Sequence, residues 1–413
     1  MKIPQLIKIK QYFNNEKLED VYQTAIQEVR NVGLQIKPGD EIAIAVGSRG
    51  IANLKILVKA VVDGIKELGG EPFIIPAMGS HGGATAEGQI EVLESYGVIE
   101  EYTGAPIKSS MEVVELPGDG LENKVYMDKY AYEADGTIAI NRIKVHTDFH
   151  GPTESGLMKM LVIGLGKHKQ ALEIHRYGVY GLRELIPPTA RQIMKHGNII
   201  MGLGVVENAY DETAIVRALK PEVLEQEEIK LMEIARNNMP SLPVVKLDVL
   251  IVDRIGKNIS GSGMDTNIIG RIKINTEKDP EKPKITNIVI TDLTEESHGN
   301  AVGMGLADIM TKRLKDKINY QATYENVITS TFLERGKMPI VADNDRIAVE
   351  YALRTCGPID PENARVIRIK DTLHLGEMYV SRAVLDEIQH LPNIEVVGEF
   401  VDIINENNEL IKF

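Results

Sequence analysis

Between residues 41 and 77 the chain changes its apolar period twice, and few folds accommodate that. Glu41 to Val46 is an apolar run of strand length, and Gly47-Ser48-Arg49-Gly50 interrupts it. From about Asn53 to Leu68 the residues Leu54, Leu57, Val58, Val61 and Ile65 then recur at helical spacing. Gly69-Gly70 stops the helix, and Pro72 to Ala77 reads as a second strand. A strand, a glycine-rich turn, a helix and another strand within about forty residues make a βαβ unit with a parallel pair. The turn sets backbone N–H groups and Arg49 at a helix N-terminus, where phosphate or carboxylate binds well.

The pattern continues. Met78-Gly79-Ser80-His81-Gly82-Gly83-Ala84-Thr85 follows the second strand and precedes a helical pattern from Glu87 to Tyr96, with Thr85 as its N-cap. Glycine on both sides of His81 lets a ligand approach closely, which favours a functional histidine over a packed one. Short strand-like pieces follow at Pro106 to Lys108 and Glu112 to Leu116. Thr137 to Ile140 reads as a buried strand, Leu182 to His196 as a helix and Asn198 to Val206 as a strand. Polar chain then leads to a Glu-rich helix, Pro221 to Asn237, expected to present a solvated face.

Pro240 and Pro243 bracket a boundary, after which Leu247 to Val252 starts a second series. Its loop from Ile255 to Arg271 carries Lys257, Asp265 and Asn267. A strand from Lys284 to Thr291 precedes His298 and a glycine-spaced helix from Ala301 to Leu314. A strand near Ala364 to Ile369 and a helix near Ser381 to His390 complete the series. The expectation is an α/β protein of two domains, each a mostly parallel sheet flanked by helices, with the active site in the cleft between them. Residues 1–240 would form the N-terminal cofactor-binding and catalytic domain. Residues 241–413 would form a C-terminal α/β domain whose last residues pack back on the first.

Composition narrows the function. A net charge of −13 argues against a general nucleic-acid binder. The single Cys356 excludes an intramolecular disulfide and a cysteine-based zinc cluster, and it fits a reducing compartment. No stretch reaches the roughly 18 consecutive apolar residues of a membrane span, so a cytoplasmic protein is expected. Nothing in the pattern sets an oligomeric state.

Chemistry concentrates between Asn141 and Arg176, which holds four of the nine histidines, His146, His150, His168 and His175. Lys159 stands alone among Leu157, Met158, Met160 and Leu161. Such a lysine either snorkels at the surface or, desolvated, serves as a nucleophile or covalent tether. The histidines show neither HxH nor HExxH spacing, yet imidazoles gathered from strand ends suit Zn, Cu, Fe or Ni.

Ser155-Gly156-x-x-Lys159-x-Leu161-x-x-Gly164, with His175 sixteen residues after Lys159, resembles the motif of the nickel-dependent lactate racemase family. The resemblance covers the N-terminal half well and the C-terminal half loosely. It implies that Lys159 covalently tethers a nickel-pincer nucleotide (pyridinium-3,5-bisthiocarboxylic acid mononucleotide) and that His175 ligates nickel. Ser48, Arg49 and Gly50 would form the first cofactor-binding turn, and Ser155 would open the tether motif. His81 and His146 would be the acid/base pair, with His150 a rival for the second place because three extra residues separate His146 from Lys159. The family's substrate lysine has no clear counterpart in the C-terminal half, where Lys257 is the candidate taken. The implied activity is an isomerase, a racemase or epimerase of a 2-hydroxy acid such as lactate, malate or an aldonate. It would work by hydride transfer and depend on partner enzymes that make the cofactor. Two other readings of the same residues are a metal-dependent hydrolase or dehydratase and a non-catalytic nucleotide- or carboxylate-binding protein.

Overall fold

In the computed structural model, which describes residues 2–47 and 50–413, the first strand, β1 (Leu6–Gln11), belongs with the far end of the sequence. It pairs antiparallel on both sides with strands formed after residue 370. The chain divides into a unit of residues 14–239 and a unit made of 1–13 with 240–413. The first unit therefore starts at Asn14, not at residue 1, and the closing residues count with their own C-terminal unit.

In the unit of residues 14–239, helix α1 (Val21–Asn31) leads into β2 (Glu41–Val46), α2 (Leu54–Glu67) and β3 (Glu71–Pro76). Helix α3 (Ala86–Ser95) follows; the Thr85 side chain accepts from the Gly88 amide at its start. Two short strands, β4 (Val113–Leu116) and β5 (Val125–Asp128), pair with each other. The main sheet resumes with β6 (Gly136–Arg142) and β7 (Ile199–Glu207) and ends on β8 (Thr213–Leu219), in the order β3-β2-β6-β7-β8. Its strands are parallel except β8, which runs against β7. The stretch expected as plain polar chain thus contains an edge strand.

Period-2 alternation decides what covers each face. Ile42, Ile44, Ile138, Ile140, Leu203 and Val205 point to α1 and α2, where Ile26, Val29, Val58, Val61 and Ile65 complete a buried core. The opposite face carries Ala43, Ala45, Ala139 and Gly202, small enough for the segment from Leu157 onward and for α6 (Pro221–Asn238) to lie close. Between them run a short helical turn (Leu157–Lys159), a π-turn (Met160–Gly164), α4 (Lys167–His175) and α5 (Ile186–His196).

The second unit holds an eight-stranded sheet in the order β12-β11-β10-β9-β13-β14-β1-β15. Its other strands are β9 (Lys246–Val252), β10 (Lys284–Ile290), β11 (Ile309–Thr311), β12 (Ile340–Ala342), β13 (Val366–Ile369), β14 (Glu377–Ser381) and β15 (Ile394–Val401). Strands β9 to β13 are mutually parallel, and β14, β1 and β15 form an antiparallel edge. The helix expected from Ala301 to Leu314 is not formed. Gly303 takes a φ of +92°, where a Cβ would collide with the Ser262 backbone, and the chain turns through Met304–Leu306 into β11 instead. Among the described residues no helix is long and apolar enough to cross a membrane.

Candidate functional site

Strand order reverses at β2: β3 lies on one side of it and β6 on the other. Open α/β sheets bind ligands beyond the carboxyl ends of the strands at such a point. Nearly all the residues singled out in the sequence stand on the turns after β2, β3 and β6. Gly50 is exposed on the first of them. Ser48 and Arg49 lie outside the described residues.

The third turn brings Lys159 and His146 together. Lys159 Nζ lies 2.6 Å from His146 Nε2. The Asp148 amide donates to His146 Nδ1 at 3.1 Å, and the ring packs on Phe149 at 4.6 Å between centroids. A neutral imidazole has one N–H. With Nδ1 accepting, that proton sits on Nε2, the nitrogen that faces Lys159 Nζ. A lysine beside an imidazole has a partner for proton exchange, one of the ways a nucleophilic amine is activated. His150, the rival, is exposed and pairs with Glu154 at 3.4 Å.

His175 ends α4. Its Nδ1 stands 2.6 Å from the Ala171 carbonyl, to which it donates. Nε2 therefore keeps its lone pair, the arrangement that metal-ligating histidines use. Although the side chain reaches solvent, desolvation by the surrounding protein pushes its pKa below the ordinary imidazole value, and the nearness of Lys159 works in the same direction.

Two buried carboxylates hold this segment from behind. Glu154 accepts from the His146 amide at 2.6 Å and from Arg236 of α6 at 2.8 Å. Burial alone would raise its carboxyl, but hydrogen bonds from His150, Arg236 and the His146 backbone hold it below the usual range. Glu228, also on α6, accepts from the Met158 amide at 2.9 Å. It is fully buried and so departs from the solvated face expected of this helix, on which Glu222 and Glu233 are exposed. The signal was present in the sequence: Leu224, Glu228, Leu231 and Ala235 form one helical stripe, and all four are buried.

His81 is exposed on the turn after β3, and that turn touches the same segment through the Gly79 amide and the Gly164 carbonyl at 3.4 Å. Gln89 Nε2 holds the turn by the carbonyls of Gly79 and His81, at 3.1 and 3.2 Å. Gln89 Oε1 in turn accepts from Lys167 at 3.3 Å, and Lys167 pairs with Asp128 at 3.0 Å, all three side chains being buried. Sequence reasoning passed over these residues, because nothing in the local pattern marks a lysine or a glutamine as interior. Ser155 is joined to the strand end by backbone hydrogen bonds with Lys144. In the second unit, Lys257 Nζ ties its own loop to Asn326 at 3.1 Å and to the Gly261 carbonyl at 2.7 Å. Among the described residues no group of three or more His, Cys, Asp or Glu side chains gathers as a metal site.

Residues 48–224 match the model of a family described as a domain of unknown function, DUF362. No curated protein matches the chain in sequence. Among solved structures, the lactate racemase apoprotein from Thermoanaerobacterium thermosaccharolyticum superposes with a TM-score of 0.52 at 14% identity, over 89% of this chain and 98% of that one. A protein from Thermotoga maritima superposes with a TM-score of 0.50 at 12% identity, over 85% of this chain and 94% of that one. At these identities the likeness is one of fold: the chain has the mixed α/β architecture of the lactate racemase apoprotein.

Proposed function

We propose that the protein is a racemase or epimerase of a small 2-hydroxy acid, working with a nickel-pincer nucleotide joined to Lys159. The observation that carries the reading is the 2.6 Å contact between Lys159 Nζ and His146 Nε2 at the sheet's switch point. It sets the amine within proton-exchange distance of an imidazole, as activation for covalent attachment requires. His175 fits as the nickel ligand, because its Nδ1 is committed to Ala171 and its Nε2 lone pair is kept. The nucleotide would supply a hydride acceptor, which no side chain provides.

The chain's own residues have the remaining work. His146 holds its exchangeable proton at Nε2 and would exchange it there with the substrate oxygen; His81 is the second such group. A hydrolytic metal would ordinarily need three protein ligands, and no such group is found among the described residues. The fold likeness to a lactate racemase agrees with the proposal. The cytosol is the compartment we assign.

The test is intact mass spectrometry of protein co-expressed with the cofactor-synthesis enzymes, with nickel quantified. An adduct of pincer-nucleotide mass is expected in the unaltered chain and absent from Lys159→Ala. His175→Ala should keep the adduct and lose at least tenfold in nickel. Because burial lowers the His175 pKa, nickel in the unaltered chain should be retained to a lower pH than an ordinary imidazole ligand would allow. No adduct in the unaltered chain overturns the reading.

A further inference from the structure

The turn that carries Lys159 starts at a residue that cannot cap it. Gly156 occupies the N-cap position and has no side chain to offer the first amides. The missing acceptor comes from another helix: Glu228 Oε2 lies 2.9 Å from the Met158 amide, one residue before Lys159, and the Leu157 amide also contributes to holding the carboxylate. The fit leaves no slack, since a Cβ at position 156 would collide with the Glu228 carboxylate. Glu228 is fully buried, and its second oxygen, Oε1, has no hydrogen-bond partner. Glu225 on the same helix is the charged group acting on it. An isolated carboxylate in such a place costs stability, so packing does not account for it.

We infer that Glu228 is a positioning residue, which caps the Lys159 turn from α6 and thereby holds the Lys159 amine against His146. This rests on Lys159 being the reactive amine of the proposed function, but not on any cofactor being bound. Arg236, two turns further along α6, holds the partner side of the contact through Glu154. One helix therefore supports both members of the pair. Loss of the cap frees two amides at the start of a turn only three residues long, and a displacement of about 1 Å there is enough to break a catalytic contact.

The experiment is competitive acetylation of the full-length protein with acetic anhydride across pH 6 to 11. Lys159 and the exposed Lys195 would be followed by peptide mass spectrometry, with circular dichroism and melting as controls of folding. In the unaltered chain Lys159 should acetylate readily at pH 8, with Lys195 as the internal reference. Glu228→Gln, which keeps an acceptor for Met158, should stay within about twofold. Glu228→Leu, which keeps the bulk and removes the acceptor, should lower the Lys159 rate at pH 8, relative to Lys195, by at least tenfold. Should Glu228→Leu fail to fold, Gly156→Ala displaces the same carboxylate and should give the same change. A folded Glu228→Leu or Gly156→Ala chain with an unaltered Lys159 profile overturns the inference. An unaltered chain that takes no pincer adduct, yet shows the Glu228 dependence, overturns the proposed function alone.

Discussion

Lys167→Met should lower the melting temperature of the protein by roughly 6–20 °C. Asp128 and Lys167 are both fully buried and 3.0 Å apart, and removing one partner of such a pair costs about 3–5 kcal/mol. For a unit of this length each kcal/mol is worth about 2–4 °C. Desolvation raises the Asp128 pKa and lowers that of Lys167 against their mutual attraction, so the ions gain little from each other. A double change, Asp128→Asn with Lys167→Met, should therefore recover at least half of the loss, since the amide oxygen of the asparagine can still accept from the Ala131 amide as Asp128 does at 2.9 Å. A double variant as unstable as the single one would contradict this account. What the pair does provide is connection: Lys167 also reaches the Pro76 carbonyl at the end of β3 and Gln89, which grips the His81 turn.

The second large effect depends on pH. Burial raises the Glu228 carboxyl from 4.5 to about 7. Between those values the folded chain holds a proton that the unfolded chain has released, so stability falls as pH rises through that window. At pH 8 the ionised carboxylate costs on the order of 3 kcal/mol relative to a solvated one. Glu228→Gln mimics the protonated acid. It should match the unaltered chain below about pH 4 in urea unfolding and exceed it at pH 8, by up to about 3 kcal/mol. A difference that does not change with pH would show that Glu228 does not titrate on unfolding.

Much of the fold could be read from local pattern where one physical rule dominates. Strand β2 runs over the residues its apolar stretch marks, α2 lies within a residue of its periodic stripe, and Thr85 caps α3. Elements whose partners are distant were harder to read. Strand β1 is recognisable only once β14 and β15 are beside it, and the alternation in β8 is interrupted by the exposed Arg217. Residues 301–314 misled because helical spacing was counted across Gly303, whose positive φ ends any helix there. At the candidate site, residue type and position after a strand pointed to Lys159, His146 and His175. Of the groups that hold them, Glu228 could have been found from its place on an apolar helical stripe, whereas Glu154 and Arg236 lay hidden because a charged residue in a polar run looks solvated until its three-dimensional neighbours are known.

The pairing of β1 also bears on how the protein is made. Its strand leaves the ribosome roughly 370 residues ahead of the β14 and β15 segments it must join, which at about 5–20 residues per second is on the order of half a minute. During that interval residues 14–239 can complete their own sheet while Leu6–Gln11 waits with unsatisfied amides and carbonyls. The waiting strand, LIKIKQ, alternates lysine with isoleucine, and its charges discourage pairing with other nascent chains. The Gln11 side chain donates to the Ser241 carbonyl at 3.1 Å, so the points where residues 14–239 leave and rejoin the C-terminal unit are neighbours. Synthesis thus resembles threading a complete domain between two halves of another, with the earliest strand the last to find its place.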